Sequence, residues 1–295
     1  MRKHIAGIMG SDQSNHHRHL IETLYALLPK EVNDAGYDDR ELALIRDPIL
    51  YYGRYLDPAT RGYTLHNAVD NLSVALAYLS SSTSSKRLLD LGCGLGMQSM
   101  LFAADGWDVL GLDYSPESIA LCRKRKRYYE SQLRRQLNLE FVAADFRTTD
   151  LSSFATQFDA VFSMSAFAQI QPLENTVDKI STLLGDDGRV FIWEENPGHF
   201  YSDILRFRRR SVSRPQIVRE ELGRHGFKTE LLSGGCAVPR QLWRPAAALN
   251  LIAAIDNVLK KNLALSFTYL LGASRTNRAF SPSPPGRSAL AQQVE

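Results

Sequence analysis

The segment Leu88-Leu89-Asp90-Leu91-Gly92-Cys93-Gly94-Leu95-Gly96-Met97-Gln98-Ser99 restricts this chain more than any other. An apolar strand runs straight into a glycine-rich turn that opens a helix. Glycine lets such a turn adopt φ > 0 and lets backbone approach a ligand closely. A strand-to-helix connection can also be glycine-rich for its own sake, so the residues beyond the loop have to decide.

Short apolar runs at Arg87–Leu91, Asp108–Asp113, Glu140–Ala144, Ala160–Ser163 and Arg189–Glu194 alternate with helical stretches. The alternation predicts an α/β, doubly wound, mostly parallel sheet with helices on both faces. Right-handed crossovers place the strand carboxyl ends on one edge, where open α/β sheets bind ligands. Lys228–Leu232 and Ser266–Gly272 read as two late strands around an insertion at about 236–265, which holds a helix from about Ala246 to Lys261. Upstream, Leu20, Leu24, Leu27 and Leu28 share one helical face, as do Val69, Leu72, Leu76 and Leu79. These predict a helical amino-terminal cap over 1–85, a seam in the Ser/Thr stretch Ser80–Ser85, and a core over 86–275. The Ser-, Pro- and Arg-rich stretch from Thr276 predicts a disordered tail over 276–295.

At 295 residues and 44% hydrophobic, the chain can bury a sizeable core. Its net charge of +3 does not advertise nucleic-acid binding. Cys93, Cys122 and Cys236 are an odd number with no Cys-x-x-Cys pair, so neither a disulfide framework nor a cysteine-based zinc site is expected, and a reducing cytoplasm fits. Ile5–Gly10 is too short for a signal-peptide core, and no run approaches a membrane span. A soluble protein is expected, and a homodimer is compatible with the sequence.

Asp113 ends the second strand, where a carboxylate can accept from both hydroxyls of a ribose. A lone acid there could instead cap the next helix, but Ser115-Pro116-Glu117 already supplies a cap. After the third strand, Asp145 can accept from an exocyclic amine and Phe146 offers an apolar face to a purine. Three strand ends in a row suit an adenosine. A nicotinamide dehydrogenase also needs one, yet its Gly-x-Gly-x-x-Gly fingerprint places the third glycine at Met97, and the alternative frame ends on Ser99 and leaves Asp90 without a role. An NAD(P)-dependent oxidoreductase is therefore the weaker reading.

Asp90-x-Gly92-x-Gly94-x-Gly96, then Asp113, then Ala144-Asp145, resemble the class I S-adenosylmethionine-dependent methyltransferases over roughly Lys86 to Arg275. Asp186-Asp187-Gly188-Arg189-Val190-Phe191-Ile192 looks like that family's turn into its fifth strand, and Ser213-Arg214-Pro215 to Gly226-Phe227 like its last helix. The resemblance implies a seven-stranded sheet whose last strand, Ser266–Gly272, returns antiparallel beside the fifth. It implies S-adenosyl-L-methionine as cofactor. Gly92, Cys93 and Gly94 would face its methionine and ribose, with Gly96 completing the loop and Asp90 ordering the loop and the amino group. Asp113 would take the ribose, Tyr114 would pack on the adenine, Asp145 and Phe146 would hold the adenine amine and ring, and Ser163 would approach the methionine through backbone groups.

Methyl transfer needs an acceptor atom in line and removal of its proton where it carries one. Neither an Asn/Asp-Pro-Pro-Tyr motif nor a Pro-Cys nucleophile stands after the fourth strand, which disfavours nucleic-acid amine and pyrimidine C5 chemistry. A small-molecule acceptor, methylated on oxygen before nitrogen or carbon, is the expectation. His199, Glu194, Glu195, Tyr51 and Tyr55 are candidate bases, with His199 favoured because an imidazole titrates near neutrality. Tyr51, Tyr55, Gln169 and Glu195 are expected to line the acceptor site beneath a lid. His16, His17 and His19 read as a solvated helix start rather than a metal site. The runs Arg123–Arg127 and Arg206–Arg210 could serve an RNA methyltransferase or RNA-binding module, but such runs are usually solvated helix faces.

Overall fold

The computed structural model describes residues 11–47, 52–81, 86–200, 213–238 and 249–276. Readings placed on Ile5–Gly10, Tyr51, Arg206–Arg210 and the tail beyond Thr276 lie outside them. The strands are β1 (Arg87–Leu91), β2 (Asp108–Asp113), β3 (Leu139–Ala143), β4 (Phe158–Met164), β5 (Leu184–Glu195), β6 (Phe227–Cys236) and β7 (Thr268–Arg275). They form one seven-stranded sheet in the order β3-β2-β1-β4-β5-β7-β6. β7 is antiparallel to both β5 and β6, and the other pairings are parallel. The antiparallel return beside the fifth strand is the arrangement the motifs implied.

β1 and β4 are nearly continuous apolar runs because both their faces are covered. Leu88, Phe162 and Phe191 point to one face, and Leu89, Val161 and Ile192 to the other. The helices are α1 (Ser11–Asp34), α2 (Asp39–Ile45), the single turn α3 (Gly53–Leu56), α4 (Pro58–Ser80), α5 (Met97–Ala104), α6 (Pro116–Leu133), α7 (Leu173–Leu183), α8 (Pro215–Arg224) and α9 (Leu249–Leu259). Their starts obey local chemistry. Asp57 accepts from Ala59 N–H ahead of Pro58, Ser115 accepts from Ser118 N–H ahead of Pro116, and Asp38 with Glu41 closes a capping box. Ile21, Leu24 and Leu28 of α1 and Leu72, Leu76 and Leu79 of α4 pack into the same core as Leu88, Phe102, Trp107, Phe162 and Phe191. The amino-terminal helices are thus part of the layer that covers one face of the sheet.

Two surface readings change once partners distant in sequence come into view. His17 is buried, with Nε2 3.4 Å from Asp105 Oδ1, so it packs rather than being solvated. The run Arg123–Arg127 is largely taken up within the fold. Arg123 and Lys126 donate to the carbonyls of Phe141 and Leu139 on the edge strand β3, Lys124 pairs with Glu41, and Arg125 is fully buried against Glu31. Capping the free carbonyls of an edge strand blocks its pairing with another chain.

Candidate active site

The loop after β1 owes its shape to three left-handed glycines: Gly92 (φ 74°), Gly94 (φ 54°) and Gly96 (φ 77°). Both Gly92 and Cys93 donate their N–H to Leu112 O at 2.8 and 3.0 Å, which folds the loop over the end of β2. A Cβ on Gly92 would lie 2.2 Å from Cβ of Ala166, so the loop after β4 sits directly on it. That second loop is fixed by Glu194, a buried carboxylate accepting from Ala168 N–H at 3.1 Å. Burial raises the Glu194 pKa and its backbone donors offset part of that.

Asp113 closes the turn. Its Oδ2 accepts from Gly94 N–H at 2.9 Å and its Oδ1 from Ser115 N–H at 3.0 Å. The carboxylate therefore ties β2 to the glycine loop, and each oxygen keeps capacity for a further donor. Asp90 lies deeper, buried, with Ser99 Oγ donating to it at 2.5 Å. Desolvation pushes its pKa up to about 7 and the neighbouring Asp113 adds to the rise, while Ser99 opposes it. Cys93 is buried, and burial raises its thiol pKa, so it acts here as a small apolar residue.

Tyr114, at 74% exposure, stands open at the end of β2. Phe146 is buried, with the Lys179 ammonium 4.9 Å from its ring centroid. Asp145 is held by its neighbour: both of its oxygens accept from the Arg147 guanidinium, which keeps its pKa down at about 2. Ser163 is buried at the end of β4 and donates from Oγ to Leu91 O at 3.0 Å, bridging β4 to β1. The structure thus gathers Asp90, Gly92, Cys93, Gly94, Gly96, Asp113 and Ser163 into one bonded cluster, with Tyr114, Asp145 and Phe146 just after the ends of β2 and β3.

Beside this cluster lies a tyrosine wall supplied by the amino-terminal helices. The Tyr25 and Tyr55 rings pack 4.6 Å apart, centroid to centroid, and Tyr52 lies 6.1 Å from Tyr55. Tyr52 Oη accepts from Met97 N–H at 3.2 Å, and Gln98 Nε2 donates to Tyr25 Oη at 3.2 Å and lies 3.5 Å from Met164 Sδ. The wall therefore meets the start of α5, whose Gln98 reaches on to the end of β4. Beneath Tyr52, the Arg125 guanidinium sits 4.5 Å from the ring centroid, holds Glu31 through two nitrogens and donates to Leu95 O in the glycine loop. Tyr37 and Tyr129 also donate to Glu31. Local spacing misses this network; its one sequence signal is an arginine inside a basic run, on the apolar face of a helix.

Gln169 is exposed on the turn after β4. Glu195 is half-buried at the end of β5, opposite Thr268. His199 packs edge-to-face on Phe267, ring centroids 4.8 Å apart, in a loop pinned by the buried Asn196. Among the described residues no group of three or more His, Cys, Asp or Glu side chains could hold a metal ion.

The side chains that close the edge, Asp90 and Asp113, are anionic or anion-forming, with Asp145 beyond them. Such a set fits a nucleoside carrying a sulfonium and an ammonium, whereas a pyrophosphate would meet like charge. Fold and site together define the class I S-adenosylmethionine-dependent methyltransferases. Residues 89–192 match the family described as "Methyltransferase domain", and the chain carries a domain of that class, whose cofactor is S-adenosyl-L-methionine.

Among curated relatives, the chain is 28% identical over 138 residues to a ubiquinone biosynthesis O-methyltransferase of Azoarcus sp. (strain BH72), covering 47% of this chain and 56% of the relative. The match thus spans little more than half of that relative's length. Among solved structures, phosphoethanolamine N-methyltransferase 2 of Haemonchus contortus, in complex with S-adenosyl-L-methionine, aligns with TM-score 0.53 at 16% identity, over 82% of this chain and 61% of that one. The cyclase SpnF aligns with TM-score 0.52 at 19% identity, over 70% and 81%. These structural likenesses show the fold. Among the described residues no helix is long and apolar enough to cross a membrane.

Proposed function

We propose that this protein methylates an oxygen of a small hydroxylated acceptor. The observation that carries the reading is the wall of Tyr25, Tyr52 and Tyr55, which meets Gln98 at the start of α5, whose side chain reaches on to Met164 at the end of β4. Apolar ring faces and hydroxyls suit a flat acceptor bearing hydroxyl groups. The O-methyltransferase name of the curated relatives supports oxygen over nitrogen. Tyr55, Gln169 and Glu195 are the acceptor-facing residues we propose, together with Tyr25, Tyr52 and Gln98. The free, buried cysteines support a reducing cytoplasm.

When bound, S-adenosyl-L-methionine supplies an electrophilic methyl group; the protein's part is to hold and orient. Gly92, Cys93 and Gly94 would present backbone to the methionine and ribose, Asp113 would accept from the ribose hydroxyls, and Asp90 would face the amino group. Tyr114 and Phe146 would enclose the adenine, with Asp145 accepting from its amine. His199 would take the acceptor's hydroxyl proton as general base, since imidazole titrates near neutrality.

Calorimetric titration with S-adenosyl-L-methionine, NAD and NADP tests the first half of this reading. Tighter binding of S-adenosyl-L-methionine is expected, and preference for a dinucleotide overturns it. Incubation with catechol, followed by mass spectrometry for a gain of about 14 Da and fragmentation to locate the methyl, tests the second half; a methyl found only on a ring carbon would end the oxygen assignment.

A further inference from the structure

The turn after β3 is shaped locally and placed from a distance. Inside it, Asp145 O accepts from Thr148 and Thr149 N–H at 3.2 and 2.9 Å, and Asp145 Oδ1 accepts from Arg147 N–H at 2.9 Å. Bonds between near neighbours give the turn its form but leave its position against the sheet open. Two anchors set that position. The Phe146 ring is buried in the same core as Leu89 of β1 and Val177 of α7. Lys179, also on α7, donates from Nζ to Phe146 O at 2.6 Å and to Thr149 O.

An ammonium in this place is held at some cost. Lys179 is half-buried over the Phe146 ring; burial lowers its pKa, and Asp150 and Asp145 act against the fall. In return, a charged donor binds each carbonyl more strongly than a neutral one. The turn so held carries two groups that suit a ligand. The Asp145 carboxylate accepts, and the N–H of Phe146 has no acceptor among the described residues. An acceptor and a donor on consecutive residues complement an adenine, whose amine donates and whose ring nitrogen N1 accepts.

We infer that Lys179 is a positioning residue for base selection: by holding the turn over 145–149 from α7, it keeps the Asp145 carboxylate and the Phe146 N–H aligned with the amine and N1 of an adenine. Arg147 orients the carboxylate, but it belongs to the turn and cannot hold the turn in place. Lys179 acts only through the two carbonyls it bonds. This rests on the proposed placement of the adenine after β3.

Calorimetric titration of the full chain with S-adenosyl-L-homocysteine and S-inosyl-L-homocysteine tests it. In the second ligand a carbonyl replaces the amine and N1 carries a hydrogen, so acceptor meets acceptor and donor meets donor. The parent is expected to prefer the adenosyl ligand by about tenfold or more. Lys179→Met keeps the apolar stem and strands both carbonyls, and should reduce that preference to about threefold or less. Lys179→Arg can still donate to both and should hold the preference within about twofold of the parent. Where Lys179→Met does not fold, Lys179→Gln carries the same test, with the preference again reduced. A role confined to stability would lower Tm in Lys179→Met and leave the ratio of the two affinities unchanged. That result, or a parent that binds both ligands equally, overturns the inference. Asp145→Ala separates it from the reading beneath: if Asp145→Ala abolishes the preference and Lys179→Met does not, only the inference falls, and if neither does, the adenine placement falls with it. A parent that binds neither ligand overturns the proposed function.

Discussion

The proposed cofactor edge and the proposed acceptor side differ in the range of the contacts that close them. At the edge, Ser99 reaches Asp90 across nine residues and Gly94 reaches Asp113 across nineteen. On the acceptor side, Gln98 meets Tyr25 across 73 residues. A site closed by near neighbours is specified by one stretch of chain and tolerates change elsewhere. A site closed by distant helices depends on the whole fold, which leaves its residues free to differ between proteins that share the edge.

Arg125 joins the two regions, and removing it should have the largest effect. It is fully buried, pairs with Glu31 of α1 and holds Leu95 O of the glycine loop. Arg125→Met strands a buried carboxylate, for which a loss of about 3–5 kcal/mol is expected in urea unfolding. The double variant with Glu31→Met should recover most of that stability. If recovery of stability does not restore affinity for S-adenosyl-L-methionine, Arg125 positions the loop; if affinity returns in full, the pair serves only to pack the helices.

Asp90 carries the next effect, confined to the edge. Its carboxyl titrates at about 7 in the fold against 3.8 for an unperturbed group. The folded state therefore binds the proton more tightly than the unfolded chain. Stability is complete below about pH 4 and is lost as pH rises to about 7, by at most about 4 kcal/mol. Asp90→Asn should flatten that profile without lowering the acid limb. A profile of the parent that rises with pH over this window would show that Asp90 is already ionised in the fold.

Asp113→Ala should weaken S-adenosyl-L-methionine by about 1–3 kcal/mol, through lost hydrogen bonds and a loosened loop. Catechol affinity, read in the same calorimeter, should move far less if the two regions are separable. Equal losses for both ligands would make them a single unit.

The same contrast explains what is legible in the sequence. All seven strands are readable, because buried strands are apolar runs, and the antiparallel return follows only from the family resemblance that the glycine turn and its acidic followers carry. β1 and β2 end at the expected residues, while β5 begins at Leu184 rather than Arg189, paired through a register shift that no periodicity announces. The Asp90–Asp113 geometry comes from strand ends. Arg125, Tyr52 and Lys179 stay hidden for another reason. Each takes its meaning from a partner that only packing reveals, and Arg125 reads as one more solvated charge. His17 misleads in the same way, since its partner Asp105 is 88 positions on, at the end of α5.

The smallest expected effect sharpens the limits of the edge itself. Arg147 holds Asp145 from two positions away on the surface, at 55% exposure, and this contact keeps the carboxylate's pKa at about 2. An exposed pair contributes little. Arg147→Ala should therefore leave unfolding unchanged within error, and should alter S-adenosyl-L-methionine affinity by less than about fivefold. The direction is informative. An increase means that the guanidinium competes with the adenine amine for Asp145, a decrease means that it orients the carboxylate for that amine, and equal affinity together with an inert Asp145→Ala would remove Asp145 from the adenine site and end the edge at Phe146.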